Sequence, residues 1–340
     1  MSLKGKKVLI SDPTLRDGNH AVLHQLSAMQ IADYCKAADA AGVPIVEVGH
    51  GNGLGASSLQ VGEAAIDDRT MLTCARENLK SSKLGIHVIP GFATIERDLK
   101  PALDWGVDVI RVASHCTEAD ITERHIRFGR AQGKTVFGVL MMSHMVEEDV
   151  LLAEASKMQD YGAEAVVLMD SAGNALPSDV TRKVGHLVAN LSISVGFHAH
   201  NNLNMAIANS LAALESGAAI LDGCARGFGA GAGNAQLEVL VAVLQRIGVE
   251  TGIDLYKMLD AADLAESKLM KEVPVIRSTS VVSGLAGVFS GFLKPVMRVA
   301  KELSLDPRDI FFELGRRKVV AGQEDIIIEV ANELVAAKGK

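Results

Sequence analysis

The sequence predicts a (β/α)8 TIM barrel followed by a small helical C-terminal domain. Eight short apolar runs alternate with amphipathic segments over the first 250 residues. The runs are almost continuously apolar, as parallel strands are when helices cover both faces of a sheet. Eight strand–helix units close naturally into a barrel. The alternative, a doubly wound open sheet, usually has fewer units and a glycine-rich loop after its first strand.

The predicted strands recur along the chain at intervals long enough for a helix between them. They comprise residues 8–15, 45–49, 84–90, 109–113, 135–142, 165–170, 194–200 and 219–223. Between them, the segments 27–41, 118–132 and 147–161 place apolar residues on one face at helical spacing. Ser27 stands at an N-cap position and Gly42 at a C-cap position of the first helix.

The alternation ends after a helix predicted at 236–248. The rest of the chain is predicted to be mostly helical, with a helix at 254–269 and a glycine-rich apolar segment at 284–293. We therefore expect two domains, a barrel over residues 1–250 and a helical C-terminal domain over residues 251–340.

Composition limits the class of protein. The chain has 340 residues, 48% of them hydrophobic, and a formal net charge of −7 without any basic cluster. Nucleic acid and anionic membrane surfaces are therefore not expected partners. The N-terminus is too polar for a signal peptide, and no apolar run is long enough to span a bilayer. The four cysteines are scattered, which is typical of a cytoplasmic protein and excludes a zinc ribbon.

Titratable side chains collect at the ends of the predicted strands, where barrel enzymes place their active sites. The first strand ends in Arg16 and Asp17, and Gly18 then turns the chain towards His20. The seventh ends in His198 and His200. Weaker candidates, expected to line the site or to support its ligands rather than bind the metal, are Glu47, His50, His87, His115 and His144.

His198 and His200 form the strongest local motif. Alternate residues of a strand face the same way, so both imidazoles face the mouth of the barrel. With Asp17 they provide two nitrogens and one carboxylate oxygen. This donor set suits a borderline divalent ion, such as Mn²⁺, Zn²⁺, Co²⁺ or Fe²⁺, with positions left open for a substrate. The loop at 227–234 is rich in glycine, and its N–H groups are suited to holding a carboxylate or ordering the rim.

These motifs resemble a known superfamily. Residues 14–18 (Thr-Leu-Arg-Asp-Gly), 198–201 (His-Ala-His-Asn) and 227–235 are similar to those of the DRE-TIM metallolyases. Within that superfamily the chain most resembles the 4-hydroxy-2-oxovalerate aldolases. The likeness extends to four further segments, residues 50–53, 114–120, 140–145 and 322–325.

The resemblance implies retro-aldol cleavage of a 4-hydroxy-2-oxo acid to pyruvate and acetaldehyde. It implies Mn²⁺, with Mg²⁺ or Co²⁺ as substitutes, bound by Asp17, His198 and His200. His20 would be the general base, and Arg16 would stabilise the enolate oxygen. The residues expected to contact the substrate are Arg16, Asp17, Ser171, His198 and Phe289. The C-terminal domain would dock an acylating acetaldehyde dehydrogenase, in a homo- or hetero-oligomer.

The chain departs from the family pattern at two positions. Phe289 stands where the family usually has a tyrosine that orients the substrate, and Ala321 replaces the first of two glycines. A different aldehyde specificity is therefore one alternative. A second is an acyl-CoA Claisen synthase or lyase, although such lyases use a cysteine in the glycine loop, and residues 227–234 contain none. A third is a non-catalytic subunit that binds the dehydrogenase.

Overall fold

A computed structural model describes residues 3–338. Eight parallel strands form a closed barrel in sequence order, which confirms the predicted fold class. The strands are β1 (Leu9–Leu15), β2 (Ile45–Val48), β3 (Lys83–Val88), β4 (Val109–His115), β5 (Thr135–Met141), β6 (Ala165–Asp170), β7 (Ser194–Ala199) and β8 (Ile220–Asp222). Parallel pairing of β1 with β8 closes the barrel, with Leu9 opposite Ile220.

Helices surround the barrel and continue to the C-terminus. They are α1 (Gly18–Ala21), α2 (Ala28–Ala41), α3 (Asp68–Asn78), α4 (Lys100–Asp104), α5 (Glu123–Ala131), α6 (Glu148–Asp160), α7 (Pro177–Asn190), α8 (Ala206–Glu215), α9 (Leu237–Arg246), α10 (Leu255–Lys268), α11 (Ser278–Leu285), α12 (Leu293–Glu302), α13 (Pro307–Arg316) and α14 (Asp325–Lys338). As predicted, Ser27 caps α2, in a reciprocal capping box with Gln30, and Gly42 ends it with a positive φ. No helix within residues 3–338 combines the length and apolarity needed to cross a membrane.

The interior of the barrel has an apolar layer with a charged layer next to it. Successive strand residues face alternately into the barrel and out towards the helices. The apolar layer consists of Ile45, Val109, Phe137, Ala165 and Ile220. Two residues further along β2, β4 and β8, the charged side chains of Glu47, Arg111 and Asp222 are fully buried. This charged layer lies one step from the strand ends that bear the predicted site.

The chain contains two main hydrophobic cores. The larger joins the barrel strands to their helices and includes Met258 and Ala261 of α10, which packs on α2. The backbone N–H of Asp254 also donates to the carbonyl of Ala41, at 2.9 Å. The second core begins at Val288 and unites α12, α13 and α14. The predicted barrel ended at residue 250, whereas the next helix, α10, packs in the same core as the barrel strands.

Candidate active site

The structure brings Asp17, His198 and His200 together at the mouth of the barrel. Their candidate ligand atoms lie within 4.8 Å of one another, and all three residues are buried. The Oδ2 atom of Asp17 is 3.7 Å from Nε2 of His198 and 3.9 Å from Nε2 of His200. Within residues 3–338, this is the one cluster of three or more acidic, histidine or cysteine side chains with such geometry.

The glycine-rich loop after β8 holds the Asp17 carboxylate in place. The backbone N–H of Ala230 donates to Oδ1 of Asp17 at 2.9 Å. A Cβ atom on Gly229 would lie 2.8 Å from that same oxygen, so only glycine lets the loop approach so closely. The carboxylate that this loop binds is thus one of the protein's own, and Oδ2 is left facing the two imidazoles.

The charge state and the free atoms of this cluster suit a divalent metal. Burial opposes ionisation of Asp17, but Arg16 and the neighbouring histidines outweigh it and hold its pKa well below the usual range. Burial lowers the pKa of His200 to about 3, so the ring is neutral. Nε2 of His198 is buried and has no hydrogen-bond partner. An ionised carboxylate oxygen, the neutral imidazole of His200 and the unpartnered Nε2 of His198 fit the donor set of a borderline divalent ion.

Arg16 lies beside this cluster and presents an unused donor to it. Its Nε donates to Glu47 at 2.5 Å and its Nη1 donates to Asp17 at 2.8 Å. Burial lowers the pKa of Arg16, yet the two carboxylates outweigh burial and raise it, so the guanidinium is charged. Nη2 is buried and has no partner. A charged N–H is therefore available for an anionic oxygen next to the metal ligands.

His20 lies on α1, and its charge state depends on Asp17 and Arg16 of the same cluster. Burial lowers its pKa below 6.5, even though Asp17 raises it, so the imidazole is neutral near pH 7. Gly51 packs so closely against this ring that an added Cβ would lie 2.7 Å from it.

Two further histidines hold the loop that carries Gly51. The rings of His24 and His50 stack with centroids 3.6 Å apart. Nδ1 of His24 accepts from the N–H of Gly51 at 3.3 Å, and Nδ1 of His50 accepts from the N–H of Asn52 at 3.1 Å. Burial lowers the pKa of His50 to about 4, so both rings serve the loop as neutral acceptors.

The C-terminal part of the chain contributes directly to the mouth of the barrel. The N–H of Ser290 donates to the carbonyl of Ser171 at 2.9 Å. Nε2 of His144 bonds the carbonyl of Gly287 at 2.9 Å. These contacts place Phe289 against His20, edge to face. The hydroxyl of Ser171 accepts from the N–H of Met142 at 2.9 Å, which leaves its O–H donor and its second lone pair for a substrate.

The remaining candidates lie around this centre or away from it. His87 is buried next to Arg16 and Glu47, and burial lowers its pKa to about 3. His115 bonds the hydroxyl of Thr117 at 2.8 Å and is half-buried. The carbonyl of Gly322, the residue after Ala321, accepts from the Gln60 side chain at 3.4 Å.

Sequence reasoning missed Arg111 and Asp222. Asp222 accepts from Nδ1 of His198 at 2.9 Å and from Nη2 of Arg111 at 2.6 Å, so it contacts a candidate metal ligand directly. A signal was present, because an arginine interrupts the apolar run at 109–113 at a position that faces inwards. Such an interruption is costly unless the charge is paired.

Two family models together match most of the chain. Residues 7–265 match the HMGL-like family, and residues 274–336 match the DmpG-like communication domain. A curated 4-hydroxy-2-oxovalerate aldolase from Spirochaeta aurantia is 70% identical over 327 residues, which cover 96% of each chain. The 4-hydroxy-2-oxovalerate aldolase from Pectobacterium atrosepticum is 62% identical over 97% of this chain and 96% of that one.

Among solved structures, the fold is similar to that of the carboxyl transferase domain of Rhizobium etli pyruvate carboxylase. The TM-score is 0.80 at 15% identity, over 98% of this chain and 60% of that chain. That likeness concerns the fold alone. The family matches and the high identities go further. The chain therefore belongs to the HMGL-like family and, within it, to the 4-hydroxy-2-oxovalerate aldolases, which are metal-dependent carbon–carbon lyases.

Proposed function

We propose that the chain cleaves 4-hydroxy-2-oxovalerate to pyruvate and acetaldehyde with Mn²⁺ bound by Asp17, His198 and His200. Mg²⁺ and Co²⁺ are expected substitutes. The observation that carries the proposal is the convergence of three ligand atoms beside the unpaired Nη2 of Arg16. A metal and a guanidinium in one place are the electrophiles that a retro-aldol reaction needs.

The bound metal would supply a Lewis acid for the carboxylate and the 2-oxo group of the substrate. The protein groups account for the rest of the reaction. His20 accepts the proton of the C4 hydroxyl as the C3–C4 bond breaks and the aldehyde forms. The bonding electrons become the pyruvate enolate, whose oxygen accepts a hydrogen bond from Nη2 of Arg16. A proton from solvent then adds to C3 to give pyruvate, and His20 returns its own proton to solvent. Ser171 and Phe289 complete the walls that hold the substrate.

Two supports favour this function over the acyl-CoA alternative. The curated relatives are 4-hydroxy-2-oxovalerate aldolases over nearly their whole length. In addition, residues 227–234 contain no cysteine, whereas the acyl-CoA lyases that this chain resembles use one in that loop.

The decisive experiment is a pyruvate-release assay on metal-stripped protein. Substrates would be 4-hydroxy-2-oxo acids of increasing chain length, with Mn²⁺ added back. We expect no release without metal, and the highest kcat/KM for the five-carbon substrate when Mn²⁺ is present. Consumption of acetyl-CoA with a 2-oxo acid, in place of pyruvate release, would contradict the proposal.

We also propose that residues 274–336 dock an acylating acetaldehyde dehydrogenase, so that the aldehyde passes to a second enzyme. The match to a DmpG-like communication domain supports this. So does the exposure of large apolar residues on its helices, among them Leu285, Met297, Phe312 and Ile328. Co-expression with such a dehydrogenase should give a complex on size-exclusion chromatography. Phe312→Asp, a change outside the second core's buried residues, should weaken that complex and leave pyruvate release intact.

A further inference from the structure

The buried charges inside the barrel form a connected ring. Arg16 pairs with Asp17 and Glu47, and Arg111 pairs with Glu47 at 3.2 Å and with Asp222 at 2.6 Å. Asp222 bonds His198, whose far nitrogen returns to Asp17. His198, a candidate metal ligand, is therefore connected to the guanidinium of Arg16 through Asp222, Arg111 and Glu47. None of these three residues is a candidate metal ligand.

The hydrogen bond from His198 to Asp222 determines the tautomer of the imidazole. A carboxylate cannot donate when it is ionised, so Nδ1 of His198 carries the hydrogen at 2.9 Å from Asp222. Nε2 is then left with its lone pair directed at the Asp17 side. Carboxylates that bond the outer nitrogen of a histidine in this way orient metal-binding imidazoles in many proteins.

Arg111 in turn determines where Asp222 points. Its side chain is completely buried, and it also donates to the hydroxyl of Ser11 at 3.2 Å. The guanidinium thus spans β1, β2, β4 and β8 from a single strand. Burying a charge costs several kcal/mol, and well-packed apolar side chains often stabilise a core as well or better. A purely structural role is therefore a weak explanation for a charge at this position.

We propose that Arg111 and Asp222 are positioning residues, which orient His198 towards the metal and couple it through Glu47 to Arg16. The inference rests on the metal site of the proposed function. It assigns no contact with substrate to either residue. Its consequence is that metal affinity depends on a cation buried in the layer beneath the metal ligands.

The positive charge of Arg111 lets one substitution distinguish two roles, because they predict opposite changes in Mn²⁺ affinity. If the only effect of Arg111 were to repel the metal ion, Arg111→Met would remove that repulsion and tighten Mn²⁺ binding. If it positions Asp222, the same change weakens binding, by about 10- to 100-fold on the scale known for such outer residues. Isothermal titration calorimetry of metal-stripped protein with MnCl₂ gives the Kd directly. An unchanged or lower Kd in Arg111→Met would overturn the proposal.

Two further variants test the same proposal if Arg111→Met does not fold. Arg111→Lys retains the charge but lacks the fork that holds two carboxylates, so a positioning role predicts a higher Kd and a charge role an unchanged one. Asp222→Ala removes the acceptor, and ¹⁵N shifts of labelled histidine in metal-free protein should show His198 losing its Nδ1–H tautomer. Retention of that tautomer would count against the proposal.

The matched control is Asp12→Asn. Asp12 is another fully buried carboxyl, and it lies on strand β1. Asp12 bonds Thr14 and Tyr34 and has no contact with the ring of charges. Its Mn²⁺ Kd should equal that of the parent protein. If the parent itself binds no Mn²⁺, the proposed function fails, whereas the tautomer measurement still tests Arg111 and Asp222 on metal-free protein.

Discussion

The imidazole of His20 meets the ring of Phe289 edge to face, with the ring centroids 6.4 Å apart. The two residues come from different cores, since His20 follows β1 and Phe289 adjoins the core of the C-terminal helices. The proposed base is therefore walled by a phenyl ring that offers no hydrogen bond. The resemblance described from the sequence implies a tyrosine at this position, whose hydroxyl would orient the substrate.

We predict that Phe289→Tyr increases discrimination between the two C4 enantiomers of the substrate. One added hydrogen bond is worth about 1 kcal/mol, so the ratio of kcat/KM values should change by about fivefold. Pyruvate release from each pure enantiomer measures this ratio. Phe292→Tyr, at a neighbouring ring inside the second core, is the control, and an equal effect there would argue against a specific role for position 289.

Asp17→Asn should abolish metal-dependent turnover. The amide has no charge to bind the cation or to pair with Arg16, so metal affinity is lost while the loop contact from Ala230 can persist. Mn²⁺ titration and pyruvate release on the same sample separate binding from catalysis, and circular dichroism checks the fold. Turnover that survives saturating EDTA in the parent protein would refute the metal assignment.

His20→Ala should lower kcat by ~10²–10⁴, the range for loss of a general base. Burial holds the pKa of His20 below 6.5, so the parent's kcat/KM should fall as pH drops through that lower value, because protonation removes the base. The acidic limb should vanish in the variant. His186→Ala, on α7, is the control and should keep both rate and profile. An identical acidic limb in His20→Ala would exclude His20 as the base.

Asp12 should make unfolding depend on pH in an identifiable range. Burial raises its pKa from 3.8 to about 6, although bonds from Thr14 and Tyr34 lower it. The folded protein thus holds this proton more tightly than the unfolded chain, and stability rises as pH falls from above 6 towards 4. Relative to Asp12→Asn, the parent's free energy of unfolding should rise by about 2–3 kcal/mol over that range. Urea denaturation of metal-free protein at several pH values measures the difference. An equal dependence of the free energy of unfolding on pH in the parent and in Asp12→Asn would contradict the prediction.

Much of the barrel was predictable because its strands are short apolar runs between capped helices. The clearest example is β6, whose predicted bounds, residues 165–170, are those of the structure. Strand ends also identified Asp17, His198 and His200, since parallel topology brings all strand ends to one rim. It was harder to predict that α10 packs on the barrel rather than with the C-terminal helices. Its alanine-rich face packs on α2, and no local sequence pattern distinguishes that partner from the C-terminal helices.

The interior charges were harder still to predict. Arg111 and Asp222 lie far apart in sequence, and only closure of the barrel brings β4 and β8 to the same buried guanidinium. His20 was identified from its motif, but its orientation depends on Gly51 and the stacked pair His24 and His50. These are contacts between loops, which hydrophobic periodicity does not encode.

The bond from Ser290 to Ser171 has a consequence for building hybrid enzymes. It holds a segment next to the second core against the rim of the barrel. Residue 289 therefore lies beside His20 but is encoded together with the C-terminal helices. A chimaera that joins this barrel to another relative's C-terminal helices would inherit that relative's side chain beside His20. Because we propose that position 289 contacts the substrate and that the C-terminal helices dock the partner enzyme, we expect exchanging these helices to change both the partner and the recognition of the aldehyde.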